Sequence, residues 1–380
     1  MQMLDIMPRV AAGEVALLQR LRQLVEVESP SDDKAAVDRA NDLVSAWTQP
    51  LGATIKRHRQ RAYGDILELR FGASKNPRSK RPRILLLGHL DTVWPLGTLA
   101  KMPWKEADGK IYGPGVLDMK FGVVSALEAI RVLTELDALR PITLLLNSDE
   151  EVGSEVSRPI TEKLARQCAA VFVLEPAQGL AYKTARKGVG QFDLRVTGVA
   201  AHSGVDFAAG HSAVLELARL LEKIASFTDL RVGRTVNPGV FGGGTRSNVI
   251  ADHAWAEVDV RIAKASDAAK VERLFRALKC EDKHCKLKII GGLNRPPMER
   301  SAGTARLYKQ ARAIAHDLGF ALDEAATGGG SDGNFTAALG VPTLDGLGAV
   351  GEGAHAAHEH IVVEHLVPRT ALLAGLIAGL

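Results

Sequence analysis

Three short, almost wholly apolar runs constrain this chain more than any other feature: Ile84–Leu87, Ile142–Leu146 and Val171–Leu174. A strand that is apolar on both faces must be covered on both faces, as a parallel strand is beneath its crossover helices. Helical spacing supplies the covers. Apolar residues recur three and four apart in Glu14–Glu28 (Leu17, Leu18, Leu21, Leu24, Val25) and in Lys34–Trp47 (Val37, Leu43, Val44). A further helix is expected over about Met119–Leu136, between the first two runs. This alternation specifies an α/β domain with a largely parallel sheet.

The middle of the chain has a different period. In Gln191–Thr197, Phe192, Leu194 and Val196 share one face, and in Ala254–Ile262 the residues Ala254, Ala256, Val258, Val260 and Ile262 do the same. Amphipathic helices are expected at Gly210–Phe227 and Asp267–Lys279, with strands at about Thr235–Phe241 and Lys286–Ile290. The resulting order, βαββαβ, is that of a ferredoxin-like α+β domain. One-sided alternation predicts an antiparallel sheet covered by helices on one face only. After Pro297 the first style returns: a helix over about Ser301–Leu318, a strand near Ala321–Ala326, the turn Gly328-Gly329-Gly330, then a helix capped by Ser331 or Asp332. The expected organisation is one α/β domain, residues 1–187 and 297–380, interrupted by a smaller domain over 188–296. Its sheet is mixed, largely parallel and sandwiched by helices.

A length of 380 residues suits two or three domains, and 46% hydrophobic with 24% charged residues suits a soluble globular chain. The net charge of +4 is small and dispersed, so no nucleic-acid partner is expected. The one short basic patch, Lys75–Arg83, reads as a solvated loop. Three cysteines argue against a disulfide framework and for a reducing compartment. Cys280 and Cys285 flank His284, but without a second ligand pair they do not make a metal site. Met1–Val10 lacks the apolar core of a secretory leader, and apolar Ala371–Leu380 is too short to span a bilayer. A cytoplasmic protein without a membrane partner is expected.

The chemistry lies where the apolar runs end. The first runs into Gly88-His89-Leu90-Asp91, the second into Asn147-Ser148-Asp149-Glu150-Glu151, the third into Glu175-Pro176. Sites in open α/β sheets lie at the carboxyl ends of the strands. A histidine and several carboxylates delivered there form a metal-ligand set. Each residue also has a plainer reading. His89 could be a satisfied core histidine, Asp118 a helix N-cap, and Glu150 and Glu151 solvated charge. All of them occurring together is much less expected by chance.

The motifs Gly88-His89-Leu90-Asp91-Thr92-Val93, Gly113-Pro114-Gly115-Val116-Leu117-Asp118-Met119-Lys120, Ser148-Asp149-Glu150-Glu151-Val152-Gly153-Ser154 and Leu174-Glu175-Pro176 resemble those of a known group. It is the di-zinc aminoacylase, acetylornithine deacetylase, succinyl-diaminopimelate desuccinylase and glutamate carboxypeptidase superfamily. Gly198–Gly204, Thr327–Asp332 and Gly351–His355 with Glu359 downstream match as well, so the resemblance spans nearly the whole chain. Leu174-Glu175-Pro176 and the triple glycine look closest to bacterial glutamate carboxypeptidases.

The resemblance implies a zinc-exopeptidase-like fold and two divalent ions, zinc first, with cobalt or manganese as alternatives. It implies that Asp118 bridges the ions, that His89 and Glu175 complete one ligand set, and that Glu151 and His355 complete the other. Glu150 would be the general base and Asp91 would orient His89. His202 in the inserted domain would support the developing oxyanion in a neighbouring subunit, making a homodimer. Asn248, Arg261 and Arg295 match positions that hold a substrate carboxylate. A cis peptide is implied after Asp118. Of three nearby histidines the Gly-x-Gly-x pattern selects His355, leaving His358 and His360 as surface residues. The implied activity is release of an amino acid such as glutamate from a small peptide or N-acyl amino acid. A deacylase of a biosynthetic intermediate is the near alternative, and a scaffold that has lost activity the remote one.

Overall fold

The computed structural model describes residues 5–72 and 82–380, so the Lys75–Arg83 patch lies outside the described residues except for its last two. The chain forms two compact units. The first comprises Met1–Ala185, Arg300–Thr327 and Ser331–Leu380; the second comprises Arg186–Glu299 with Gly328–Gly330.

The chain opens with helices α1 (Ile6–Ala12), α2 (Glu14–Glu26) and α3 (Lys34–Thr48), then strands β1 (Thr54–His58), β2 (Ile66–Phe71) and β3 (Ile84–His89). The short strands β4 (Lys105–Ala107) and β5 (Lys110–Tyr112) precede α4 (Phe121–Glu135), β6 (Ile142–Asn147), α5 (Arg158–Ala165), β7 (Ala170–Val173) and β8 (Tyr182–Arg186). The second unit contributes β9 (Gly188–Thr197), α6 (Ala213–Ala225), β10 (Thr235–Gly243), β11 (His253–Ile262), α7 (Ala268–Arg276) and β12 (Lys286–Arg295). The chain ends with α8 (Ala302–Asp317), β13 (Glu324–Thr327), α9 (Gly333–Ala338), β14 (Thr343–Leu344), β15 (Gly351–Glu352), β16 (His360–Val362) and α10 (Leu366–Gly379).

The main sheet of the first unit runs β1-β2-β6-β3-β7-β14. β6, β3, β7 and β14 are parallel, while β1 and β2 are antiparallel at one edge. The fold class is therefore the mixed, largely parallel α/β arrangement expected from the apolar runs. Successive side chains of β3 divide between two cores. Ile84 and Leu86 join α1, α2, α4 and α10 on one face, whereas Leu85 and Leu87 meet Leu164 and Ala165 of α5 on the other. The apolar C-terminal residues lie in α10, whose Leu372, Leu373, Leu376 and Ile377 are fully buried in the first of these cores. No helix among the described residues is long and apolar enough to cross a membrane. The helix expected from about Met119 begins at Phe121, because Asp118 (φ −115°, ψ 94°) and Met119 (φ −135°, ψ 37°) are not helical.

In the second unit an antiparallel sheet runs β10-β11-β9-β12. Its inward residues, Phe192, Leu194 and Val196 of β9 and Ala254, Ala256, Val258, Val260 and Ile262 of β11, pack on Leu217, Leu220 and Ile224 of α6 and on Val271 and Phe275 of α7. Phe275 stacks on Phe192 with ring centroids 3.8 Å apart and meets Phe227 edge-on. Replacing Phe275 by alanine should destabilise this unit by about 3–5 kcal/mol. Urea unfolding followed by tryptophan fluorescence, with Trp255 as the reporter, checks that figure.

Candidate metal centre

Parallel pairing sets His89, the last residue of β3, opposite Asn147, the last of β6, and sets Leu87 opposite Val173 of β7. The segments that follow these strands therefore leave the sheet along one edge. The first carries Asp91, the second Glu150 and Glu151, the third Glu175. Asp118 arrives on the loop from β5 to α4, and His355 on the loop between β15 and β16.

Close packing explains why these loops take their course. Gly115 has φ of 72°, and a Cβ there would lie 2.7 Å from Thr92 Cγ2. A Cβ on Gly122 would lie 2.1 Å from the Leu174 carbonyl oxygen, so only glycine lets the start of α4 approach the Glu175 segment this closely. Buried acids hold the Glu150–Glu151 loop. The Asp91 carboxylate accepts the Glu150 and Glu151 N–H groups at 3.3 and 3.2 Å and the Ser31 hydroxyl at 2.7 Å. Asp149 accepts the N–H of Val156 at 2.8 Å, and Asp332 accepts Asn147 Nδ2 at 2.5 Å and the Ser154 hydroxyl.

The side chains converge. His89, 1% exposed, has Nε2 3.3 Å from Asp118 Oδ1 and 3.6 Å from Glu175 Oε1. His355 Nε2 lies 3.5 Å from Asp118 Oδ2 and 3.1 Å from Glu151 Oε2. One Asp118 oxygen thus faces each histidine. Two overlapping groups, His89 with Glu150 and Glu175 and His89 with Asp118 and Glu151, bring their ligand atoms within 4.8 Å of one another. The peptide between Asp118 and Met119 is cis.

Three buried atoms in this cluster, His89 Nε2, Asp118 Oδ1 and Glu151 Oε1, have no hydrogen-bond partner. A folded protein seldom leaves buried polar atoms unsatisfied, and a group left so costs about 1–3 kcal/mol. Orphaned donor atoms of a histidine and two carboxylates, aimed at a common point, fit a divalent cation. His89 Nδ1 donates to the Asp91 main-chain oxygen at 2.9 Å, which leaves Nε2 to carry the lone pair a metal needs. The Asp91 carboxylate is further off, at 3.5 Å, so the ring is oriented mainly by the Asp91 backbone.

Charge inside the cluster tells the same story. Burial works against a His89 imidazolium, but Asp118, Asp91 and Glu175 outweigh it and lift its pKa well above the ordinary value. Burial also works against an Asp118 carboxylate, yet His355 and His89 hold it well below the usual range. Burial, helped by nearby Asp118, raises Glu151 in spite of His355. Asp118 and Glu151 raise His355 from 6.5 to about 10. Both shifts favour the protonated form of the two histidines among these carboxylates.

Some expectations are corrected. Asp332 does not cap α9: its carboxylate reaches Asn147 and Ser154, and Ser331 Oγ accepts the Gly333 N–H instead. His360 is not a surface residue. It is 5% exposed, donates from Nδ1 to the His358 carbonyl and lies against Tyr112, whereas His358 is exposed. His202, Asn248, Arg261 and Arg295 belong to the second unit. There His202 and Asn248 are exposed on adjoining loops, bridged through His202 and Val249. Arg261 is held by the Asp259 carboxylate at 2.8–3.1 Å, and Arg295 is buried. The supports Ser31, Asp149 and Ser154 escaped sequence reading because polar residues in a loop carry no period. Only for Asp149 and Ser154 did a place beside Glu150 and Glu151 in the sequence hint at a role.

Comparison with known proteins follows the same lines. The family described as Peptidase family M20/M25/M40 matches residues 85–379. Carboxypeptidase G2 of Pseudomonas sp. (strain RS-16) is 30% identical over 368 residues, covering 94% of this chain and 88% of the relative. Succinyl-diaminopimelate desuccinylase of Delftia acidovorans is 27% identical over 374 residues, covering 92% and 94%. Among solved structures, aminopeptidase PepT from Bacillus cereus superposes with a TM-score of 0.81 at 24% identity, covering 96% of this chain and 98% of that one.

Because the His355 pKa is about 10 in the folded metal-free protein and 6.5 as the ordinary value, its contribution to stability is complete below 6.5 and is lost as pH rises through 10. The melting temperature of chelator-treated protein should fall across that window, and zinc-loaded protein should not follow it. Circular-dichroism melts at stepped pH test this, and a flat metal-free profile would contradict it.

Proposed function

The chain belongs to peptidase family M20/M25/M40, and on that premise we propose that this hydrolase is a carboxypeptidase with two divalent metal ions, zinc in the first instance and cobalt or manganese otherwise. It cleaves an amide bond beside a free carboxylate and releases an amino acid such as glutamate from a small peptide or N-acyl amino acid. The observation that carries the reading is the Asp118 carboxylate, with one oxygen facing His89 and the other facing His355. Asp118 would touch both ions, His89 and Glu175 would hold one, and Glu151 and His355 would hold the other. Divalent ions bound there acidify a water and polarise an amide carbonyl.

The protein's own groups do the rest. Glu150, grouped with His89 and Glu175, takes the proton of the attacking water and delivers it to the departing amine. In the second unit, His202 Nδ1 accepts the Gly204 N–H at 3.1 Å, so the ring proton sits on Nε2. That leaves a donor suited to the oxyanion that would form in a neighbouring subunit's site as the carbonyl is attacked. Asn248, Arg261 and Arg295 are the groups for the substrate's free carboxylate, and arginine can bind one through two parallel hydrogen bonds. The 30% identity with carboxypeptidase G2 favours the carboxypeptidase reading. The 27% identity with the desuccinylase keeps N-acyl-amino-acid deacylation as the second reading. The same centre would serve it, and hydrolysis assays on dipeptides, N-acyl-glutamate and N-acetylornithine separate the two. A complete donor set together with Glu150 argues against an inactive scaffold.

A homodimer through the second unit belongs to this proposal. β10 is an edge strand whose Val240 and Phe241 are 50% and 65% exposed, and Val214 and Leu215 on α6 are exposed as well. Apolar side chains on an unpaired edge invite a second strand. We also place the protein in the cytoplasm, in line with its three free cysteines.

Glu150→Gln should lower kcat by about 100- to 10,000-fold while metal content, measured by elemental analysis, stays at the wild-type level. Wild-type turnover in that variant would remove the general base assigned here. Light scattering should give twice the 40.6 kDa chain mass for the wild type and a single chain mass for Phe241→Asp.

A further inference from the structure

Glu359 is fully buried, one residue ahead of β16. Its two oxygens accept four N–H groups. Oε2 takes Trp94 Nε1 at 2.8 Å and the Gly115 N–H at 2.9 Å; Oε1 takes the Leu117 N–H at 2.9 Å and the Asp118 N–H at 3.1 Å. All four partners are donors, so an acceptor-only group is required, and among side chains of this length an ionised carboxylate alone supplies it. Three of the four donors are consecutive or near-consecutive backbone amides of the loop that delivers Asp118.

The position of Glu359 in the chain gives the contact its meaning. β16 pairs with β5 through His360–Tyr112 and Ile361–Ile111, and with β15 through Glu352–His360 and Gly351–Ile361. The loop joining β15 to β16 carries His355. That hairpin therefore presents His355 directly and grips the backbone of Asp118 through Glu359.

We propose that Glu359 is a positioning residue of the metal centre: it fixes the Gly115–Asp118 backbone and locks it to the hairpin bearing His355, so that the Asp118 oxygens face both histidines. The inference rests on the reading of Asp118 and His355 as metal ligands. Glu359 touches neither metal nor substrate. A glutamine in its place offers one acceptor oxygen and turns an NH2 group towards two of the four N–H donors, which loosens the loop without changing side-chain size.

Titration of metal-free protein with zinc against a chromophoric chelator, together with the absorption spectrum of the cobalt-substituted form, tests the proposal. Wild type should take up two ions. Glu359→Gln should keep its circular-dichroism spectrum, bind metal about 10- to 100-fold more weakly and give an altered cobalt band, as loss of a group supporting a ligand does. Trp94→Phe removes one donor and leaves the carboxylate in place, so it should bind metal close to the wild-type level. Two ions bound by Glu359→Gln with wild-type affinity and spectrum would overturn the proposal and leave the centre standing. A wild type that takes up no metal would overturn the centre, and this inference with it. Should Glu359→Gln fail to fold, hydrogen exchange in metal-free wild type decides: the Gly115, Leu117 and Asp118 amides should exchange slowly, and exchange at open-loop rates would overturn the proposal.

Discussion

The structure depends on the parallel register of β3, β6 and β7. These strands are buried on both faces, and their interiors offer almost no polar side chain with which to do chemistry. Polar function is confined to the strand ends, and the register brings three ends to one edge. Neighbouring Glu150, Glu151 and Glu175 follow from that alignment rather than from any attraction among them. Gathering such charges in a partly buried place is unfavourable by itself. It is tolerated because the loops are held from behind by hydrogen bonds that do not use the cluster's own carboxylates. Asp91, Asp149, Asp332 and Glu359 all accept backbone or side-chain donors at the rear of the site. One layer of acids is satisfied by N–H and O–H groups and fixes the frame. A second layer, in which Asp118 Oδ1 and Glu151 Oε1 lack a hydrogen-bond partner, faces inward.

Much of this was legible in the sequence. The apolar runs marked the central strands, helical spacing marked α2, α3, α6 and α8, and one-sided alternation marked β9 and β11. His89, Asp118, Glu150, Glu151 and Glu175 stood out because they follow strand-like runs or a glycine turn, whereas His355 was picked out through the family resemblance. What stayed hidden is of one physical kind. Of the two caps read for α9, Ser331 or Asp332, the second has its partners elsewhere, at Asn147 and Ser154, 185 and 178 residues away. A local period reports which way a side chain faces within its own element and says nothing about such distant partners. His360 was misjudged for the same reason, since its burial comes from pairing with β5. The start of α4 was set too early because propensity does not register the non-helical turn at Asp118 and Met119.

The two units carry different candidate residues. The first gathers atoms suited to cations, and the chemistry they support is indifferent to what lies on either side of the bond. Proteins with this fold or family likeness bear names as different as carboxypeptidase, desuccinylase and aminopeptidase. On physical grounds the discrimination among substrates lies with residues that touch the flanking groups. In this chain Arg261, paired with Asp259, and the buried Arg295 are the positions proposed above for such contacts.

The order in which the site's residues occur along the chain has a consequence for how the protein comes into being. His89 lies in the first quarter, and His355 and Glu359 lie near the carboxyl terminus, on the far side of the whole second unit. A ribosome releases the early acids long before the hairpin that completes their surroundings has been made. Throughout that interval Glu150, Glu151 and Glu175 must stay hydrated, and any ion they attract is held loosely. With His355 a ligand as proposed, lasting metal uptake would be an event of the finished chain, and a truncated product ending before residue 355 would keep the acids without that histidine.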